Sequence, residues 1–139
     1  MNLELKGSGV EDPCAMAPDL EYTATPEEID GCHWHLVEIP IDTMYREDEL
    51  SFRLDLPGEG KLEALHRWLS VLAWIQEAGG PDAAMGACPV IAIWDRDKLI
   101  PIDGWRRCVV TFRDYGQKHI KALIGVPKPE IKAAYGIEP

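Results

Sequence analysis

The sequence predicts an α/β protein in which a small mixed β-sheet carries packed helices. Three observations lead there. Leu62, Leu65, Leu69, Leu72 and Ile75 recur three or four residues apart, the period of a helix with one apolar face. Residues 89–102 hold two β-branched runs, Val90–Trp94 and Leu99–Ile102, around a polar turn at Asp95–Lys98. Beyond Gly104 the apolar spacing becomes helical and then returns to a strand-like run, Ile120–Ile124. Strands that alternate with helices call for a sheet with covered faces, here of about four strands.

The elements follow in order. Residues 1–30 contain Gly7, Gly9, Pro13, Pro18 and Pro26 among scattered acids and hold no sustained period, so they predict an irregular N-terminal arm before a domain spanning 31–139. One helical turn is expected within the arm at Pro26–Ile29, with Thr25 as cap and Pro26 first. Trp34–Ile41 reads as a strand whose Pro40 suits an edge or an end. A polar loop with Arg46 and Arg53 follows and is broken at Pro57-Gly58-Glu59-Gly60. The helix Lys61–Ala78 stops at Gly79-Gly80-Pro81, and the small residues of Asp82–Ala87 read as a connection. After the two strands, a helix is expected over Arg107–Tyr115, then a turn at Gly116 and the strand Ile120–Ile124. Gly125 to Pro129 breaks the chain again, ahead of a short helix at Glu130–Tyr135.

Composition narrows the function classes. The 139 residues suffice for one domain with a substantial core. Fourteen Lys and Arg against 24 Asp and Glu give a net charge of −10, which argues against a general duplex-DNA binder but leaves room for a small basic pocket. No apolar run approaches the ~18 residues that span a bilayer. The first dozen residues lack a basic region followed by an apolar one, so the expectation is a cytoplasmic protein without a membrane partner. Cys14, Cys32, Cys88 and Cys108 form no Cys-x-x-Cys pair and read as reduced thiols.

The chemistry gathers at Asp103-Gly104-Trp105-Arg106-Arg107, where a strand meets a helix. Gly104 permits a sharp turn and a close backbone approach. The helix start offers N–H groups and a positive dipole end to an anion. Two guanidiniums add fork-shaped donors suited to phosphate. Cations at a helix start cost a few tenths to about 1 kcal/mol each, so their placement there favours anion binding over an idle surface role. On this reading Arg107 faces the ligand, and its removal leaves the fold intact. Asp103 is either a helix cap or a carboxylate that meets Mg²⁺ or acts as a base beside the phosphates. Cys32-His33-Trp34-His35 has zinc-ligand types, but His33 and His35 share a strand face that Cys32 does not, so structural or surface histidines are expected.

This hairpin, Gly-Trp-Arg-Arg loop, helix, Tyr115-Gly116 turn and closing strand from His119-Ile120-Lys121-Ala122 resemble the ParB/sulfiredoxin fold, over roughly residues 36–126. The resemblance implies a nucleotide-binding domain taking ATP or CTP, with Mg²⁺, and NTPase or DNase activity in DNA partition or transfer control. It places Lys61, at the start of its helix, with Gly104, Trp105, Arg106 and Arg107 around the phosphates; Asp103 and Arg106 are the candidate catalytic residues. Trp105 stands where sulfiredoxins carry their reactive Cys, and indole cannot replace a thiolate, so reductase chemistry is not expected. No DNA-reading helix-turn-helix domain is expected after the fold. The rival reading is a non-catalytic acidic regulator that docks on a DNA-handling protein.

Overall fold

In a computed structural model, residues 9–46, 50, 58–95 and 98–129 are described. The elements run β1 (Gly9–Val10), α1 (Pro13–Met16), α2 (Leu20–Thr23), α3 (Pro26–Asp30), β2 (Cys32–Pro40) and a 3₁₀ turn (Ile41–Thr43). They continue through α4 (Lys61–Ala78), α5 (Pro81–Ala87), β3 (Val90–Asp95), β4 (Lys98–Asp103), α6 (Trp105–Arg113) and β5 (His119–Pro127). Among the described residues five strands form one sheet in the order β1-β2-β5-β3-β4, one more than expected. β3 and β5 pair in parallel and the other neighbours are antiparallel, so the sheet is mixed, as anticipated.

The central strand explains why both faces must be covered. Along β5, Ile120, Ala122 and Ile124 point to one face, where they join Ile75, Val90, Ala92, Val109 and Val110 in the larger core. Leu123 points to the other, where it joins Ile91, Trp34, Ala17 and Leu20. Alternation along a strand produces this division, and coverage of both faces turns β5 into a near-continuous apolar run. Gly125 belongs to the second face by necessity: a Cβ there would stand 2.9 Å from both Trp34 and Ile93 side-chain atoms.

Residues 13–30 correct the expectation of an irregular arm. They form three short helices, and Ala17 and Leu20 are fully buried against the sheet. Helices of four or five residues are too short to show a period, so their covering role leaves no trace in the pattern. The turn expected at Pro26 is α3: Thr25 accepts from Glu28 N at 3.2 Å while Glu28 accepts from Thr25 N at 3.1 Å, a reciprocal capping box.

α4 has the predicted limits, and the predicted apolar stripe reaches the core in part, through Leu72 and Ile75. Ala64 and Ile75 are buried and Trp68, Val71, Leu72 and Trp74 pack against the core, whereas Leu62, Leu65 and Leu69 are exposed. The helix ends at Gly79, φ +100, with Gly80 N donating to Ile75 O at 2.9 Å. Pro81 then opens α5 over residues expected to be a connection, because proline suits a first helical position as well as a stop. α6 begins two residues before the expected Arg107, at Trp105, and ends ahead of Gly116, φ +66, where the turn was expected. The helix expected at Glu130–Tyr135 and the loop position Arg53 lie outside the described residues.

Candidate functional site

The strand-to-helix corner is built on a steric requirement. Gly104 is the N-cap of α6 with φ +122, and among the described residues no side-chain cap hydrogen bond closes that helix start. A Cβ at Gly104 would stand 2.5 Å from Val90 Cγ1 and 2.7 Å from Val90 Cβ. Glycine is therefore demanded by packing on β3 as well as by the turn, before any ligand is considered.

Arg107, expected as a phosphate anchor, lines the cavity but also serves the fold with its guanidinium. Its side chain is 9% exposed, and Nη1 donates to the carbonyls of Cys88 at 2.8 Å and Pro89 at 2.9 Å. Nη2 donates to Asp103 Oδ2 at 2.8 Å. The guanidinium thus ties α6 to the start of β3 and to the end of β4. Asp103 in turn is not the helix cap, since Gly104 holds that position and the Asp103 carboxylate takes Arg107 one turn on.

Arg106 is held differently. Its Nη2 donates to the Glu59 carboxylate, contributed from just before the Gly60 N-cap of α4, and that carboxylate is 8% exposed. Glu59 also meets Arg67 Nε at 3.5 Å, and Arg67 meets Glu63 at 3.3 Å. The fork is only half used: among the described residues, Arg106 Nε is buried without a hydrogen-bond partner, as is the indole Nε1 of Trp105. Trp105 packs edge-on against Tyr45 with ring centroids 4.7 Å apart.

These residues surround a cavity of about 370 Å³ lined by Asp19, Tyr45, Val71, Ile102, Asp103, Gly104, Trp105, Arg106 and Arg107. Four of the five cofactor-contact residues expected from the sequence line it, and so does Asp103. Lys61, the fifth, is exposed at the start of α4 and does not. Asp19 enters from the turn before α2 and accepts a hydrogen bond from the Cys88 thiol at 3.3 Å. Burial pushes that thiol up, against the opposing pull of the Arg107 guanidinium. Asp19, Tyr45 and Glu59 carry no signal in the sequence, because each comes from an irregular stretch far along the chain from Gly104.

His33 and His35 do share a strand face, and with Cys32, Asp30, Glu11 and Lys128 they line a larger cavity of about 810 Å³. Among the described residues, no three His, Cys, Asp or Glu side chains are grouped as a metal site would require. Cys108 is not at the site: it is fully buried in the larger core. Among the described residues no helix is long and apolar enough to cross a membrane. Compared with protein families, curated proteins and solved structures, the chain shows no match in any of the three.

Proposed function

We propose that the chain binds a nucleoside triphosphate, ATP or CTP, by its phosphates in the Gly104–Arg107 cavity, in a ParB/sulfiredoxin-like domain. The observation that carries this reading is a surplus of donors at one place. Among the described residues, the start of α6 has no side-chain cap, and Arg106 Nε and Trp105 Nε1 are buried without acceptors. A buried donor without a partner costs about 1–3 kcal/mol, so a ligand rich in oxygens is the complementary occupant. Phosphate satisfies both a guanidinium fork and a helix start. Mg²⁺ would arrive with the phosphates and meet Asp103 and Asp19, since it is held by one or two carboxylates plus phosphate oxygens. In that arrangement Arg106 contacts the phosphates, Arg107 holds Asp103 in place, and hydrolysis is the reaction the pair Asp103 and Arg106 would serve.

Calorimetric titration of ATP, CTP and inorganic tripolyphosphate tests it. Binding is expected below millimolar concentration, with Arg106→Ala weakening it about ten- to a hundredfold, as loss of a charge-assisted hydrogen bond implies. Absence of binding by all three at millimolar concentration removes the reading. The exposed Leu62, Leu65 and Leu69 on α4 would then favour the second reading, an acidic regulator that docks on a DNA-handling protein.

A further inference from the structure

The two arginines of the cavity are restrained by different kinds of partner. Arg107 is bound to two main-chain carbonyls, which cannot leave without unfolding the start of β3. Arg106 is bound to a side chain, that of Glu59, contributed from just before α4 and 47 residues away in sequence. The pair uses only the Nη2 edge of the guanidinium and, among the described residues, leaves Nε without an acceptor. A carboxylate matched to this arginine for its own sake would engage both donors in the parallel, bidentate manner. The Glu59 oxygen that takes Arg106 is shared with Arg67, whose side chain is 54% exposed.

An arginine whose side chain is only 16% exposed favours an anion beside it when the cavity is empty, because a charge largely removed from water is costly without compensation. The same carboxylate becomes a liability once phosphate enters, since two anions would then crowd one guanidinium. Arg67 offers a second place for it. It already lies 3.5 Å from Glu59 and is 54% exposed, so the carboxylate keeps a cationic partner if it leaves Arg106.

We propose that Glu59 is an internal stand-in for the ligand's phosphate. It holds Arg106 while the cavity is empty and passes to Arg67 when a phosphate oxygen takes the Arg106 fork. The inference rests on the phosphate reading of the cavity and adds a regulatory consequence: occupancy is reported to the start of α4 by loss of the Glu59–Arg106 pair while the Glu59–Arg67 pair is kept. Affinity is lowered by the work of displacing Glu59, as in any site whose competent state must first be released.

Inorganic tripolyphosphate, titrated calorimetrically into the full chain and its Glu59→Gln variant, provides the test. The amide keeps the shape and loses the charge, so Glu59→Gln should bind about tenfold more tightly. Equal or weaker binding by a folded Glu59→Gln would make Glu59 a fixed orienting group and overturn the proposal, while leaving the phosphate reading in place. Binding by the variant alone would support it in its strongest form. If neither protein binds, the phosphate reading falls and the stand-in falls with it. A measurement on the unmodified chain decides the matter even if the variant does not fold. The guanidinium Nε–H resonances of Arg106 and Arg67, assigned through Arg106→Lys and Arg67→Lys, should both shift on saturation with tripolyphosphate. A shift confined to Arg106 would mean that Glu59 never moved.

Discussion

Arg107 donates from Nη1 to the carbonyl oxygen of Cys88 at 2.8 Å, fastening the first turn of α6 to the chain just before β3. The bond to Pro89 O at 2.9 Å doubles that attachment. Arg107→Ala should therefore destabilise the fold by about 2–4 kcal/mol, because it orphans buried acceptors and removes the partner of Asp103. Arg107→Lys should recover part of the loss, since an ammonium cannot span three acceptors in a plane. Urea unfolding followed by circular dichroism measures both. A wild-type midpoint for Arg107→Ala would return this arginine to the role of a free ligand contact.

Gly104→Ala should be among the costliest alanine substitutions at the described glycines. It places an L-residue at φ +122 and drives its Cβ to 2.5 Å from Val90 Cγ1. Backbone strain and overpacking each cost about 1–3 kcal/mol, so a loss near 3 kcal/mol or more is expected. Val90→Ala in the same chain should return the packing part and not the backbone part. Thermal melts of the two single variants and the double variant separate them. Full rescue by Val90→Ala would show that φ carries no penalty here.

Much of the sheet and both long helices can be read from the sequence, because β3, β4, β5 and α4 have long, regular apolar patterns. The chain from Pro13 to Asp30 could not be read so: its buried residues Ala17 and Leu20 sit in helices shorter than one full repeat of evidence. At the site, Gly104, Trp105, Arg106 and Arg107 are visible because a glycine and two cations at a helix start conflict with helix preferences. Their partners are not. Glu59 meets Arg106 only through tertiary placement, and Arg107 finds main-chain carbonyls, which no side-chain pattern announces.

The two faces of α4 offer a direct comparison. Leu62 is 83% exposed, whereas Ile75 is fully buried among Val109, Ile124 and their neighbours. Leu62→Ala should change stability by no more than about 0.5 kcal/mol, the usual range for surface substitutions. Ile75→Ala should cost about 2–5 kcal/mol, for lost burial and the cavity left behind. Chemical denaturation of the two variants is sufficient. Comparable losses at both positions would mean that the leucine stripe is covered in solution, as self-association would cause.

Cys108 gives a prediction in which the sign of a pH effect can be fixed. Its thiol is fully buried on α6, and burial pushes its pKa from 9.0 up to about 12, against a lowering influence from Arg107. Burial disfavours the charged thiolate, so the folded state holds this proton more tightly than the unfolded chain does. The resulting stabilisation is complete below pH 9, where both states are protonated. It is lost progressively as pH rises from about 9 towards about 12, because only the unfolded chain then gains by ionising. The loss is on the order of a few kcal/mol across that window, by the linkage between pKa and stability. Cys108→Ala removes the titration, so its urea midpoint should decline less steeply than the wild type's between pH 8 and pH 11. The same burial predicts that a thiol reagent at pH 8 labels Cys108 only when denaturant is added, while the part-exposed Cys14, Cys32 and Cys88 react in the native protein. Parallel pH profiles for wild type and variant, or labelling of Cys108 in the native chain, would show that water reaches this side of α6.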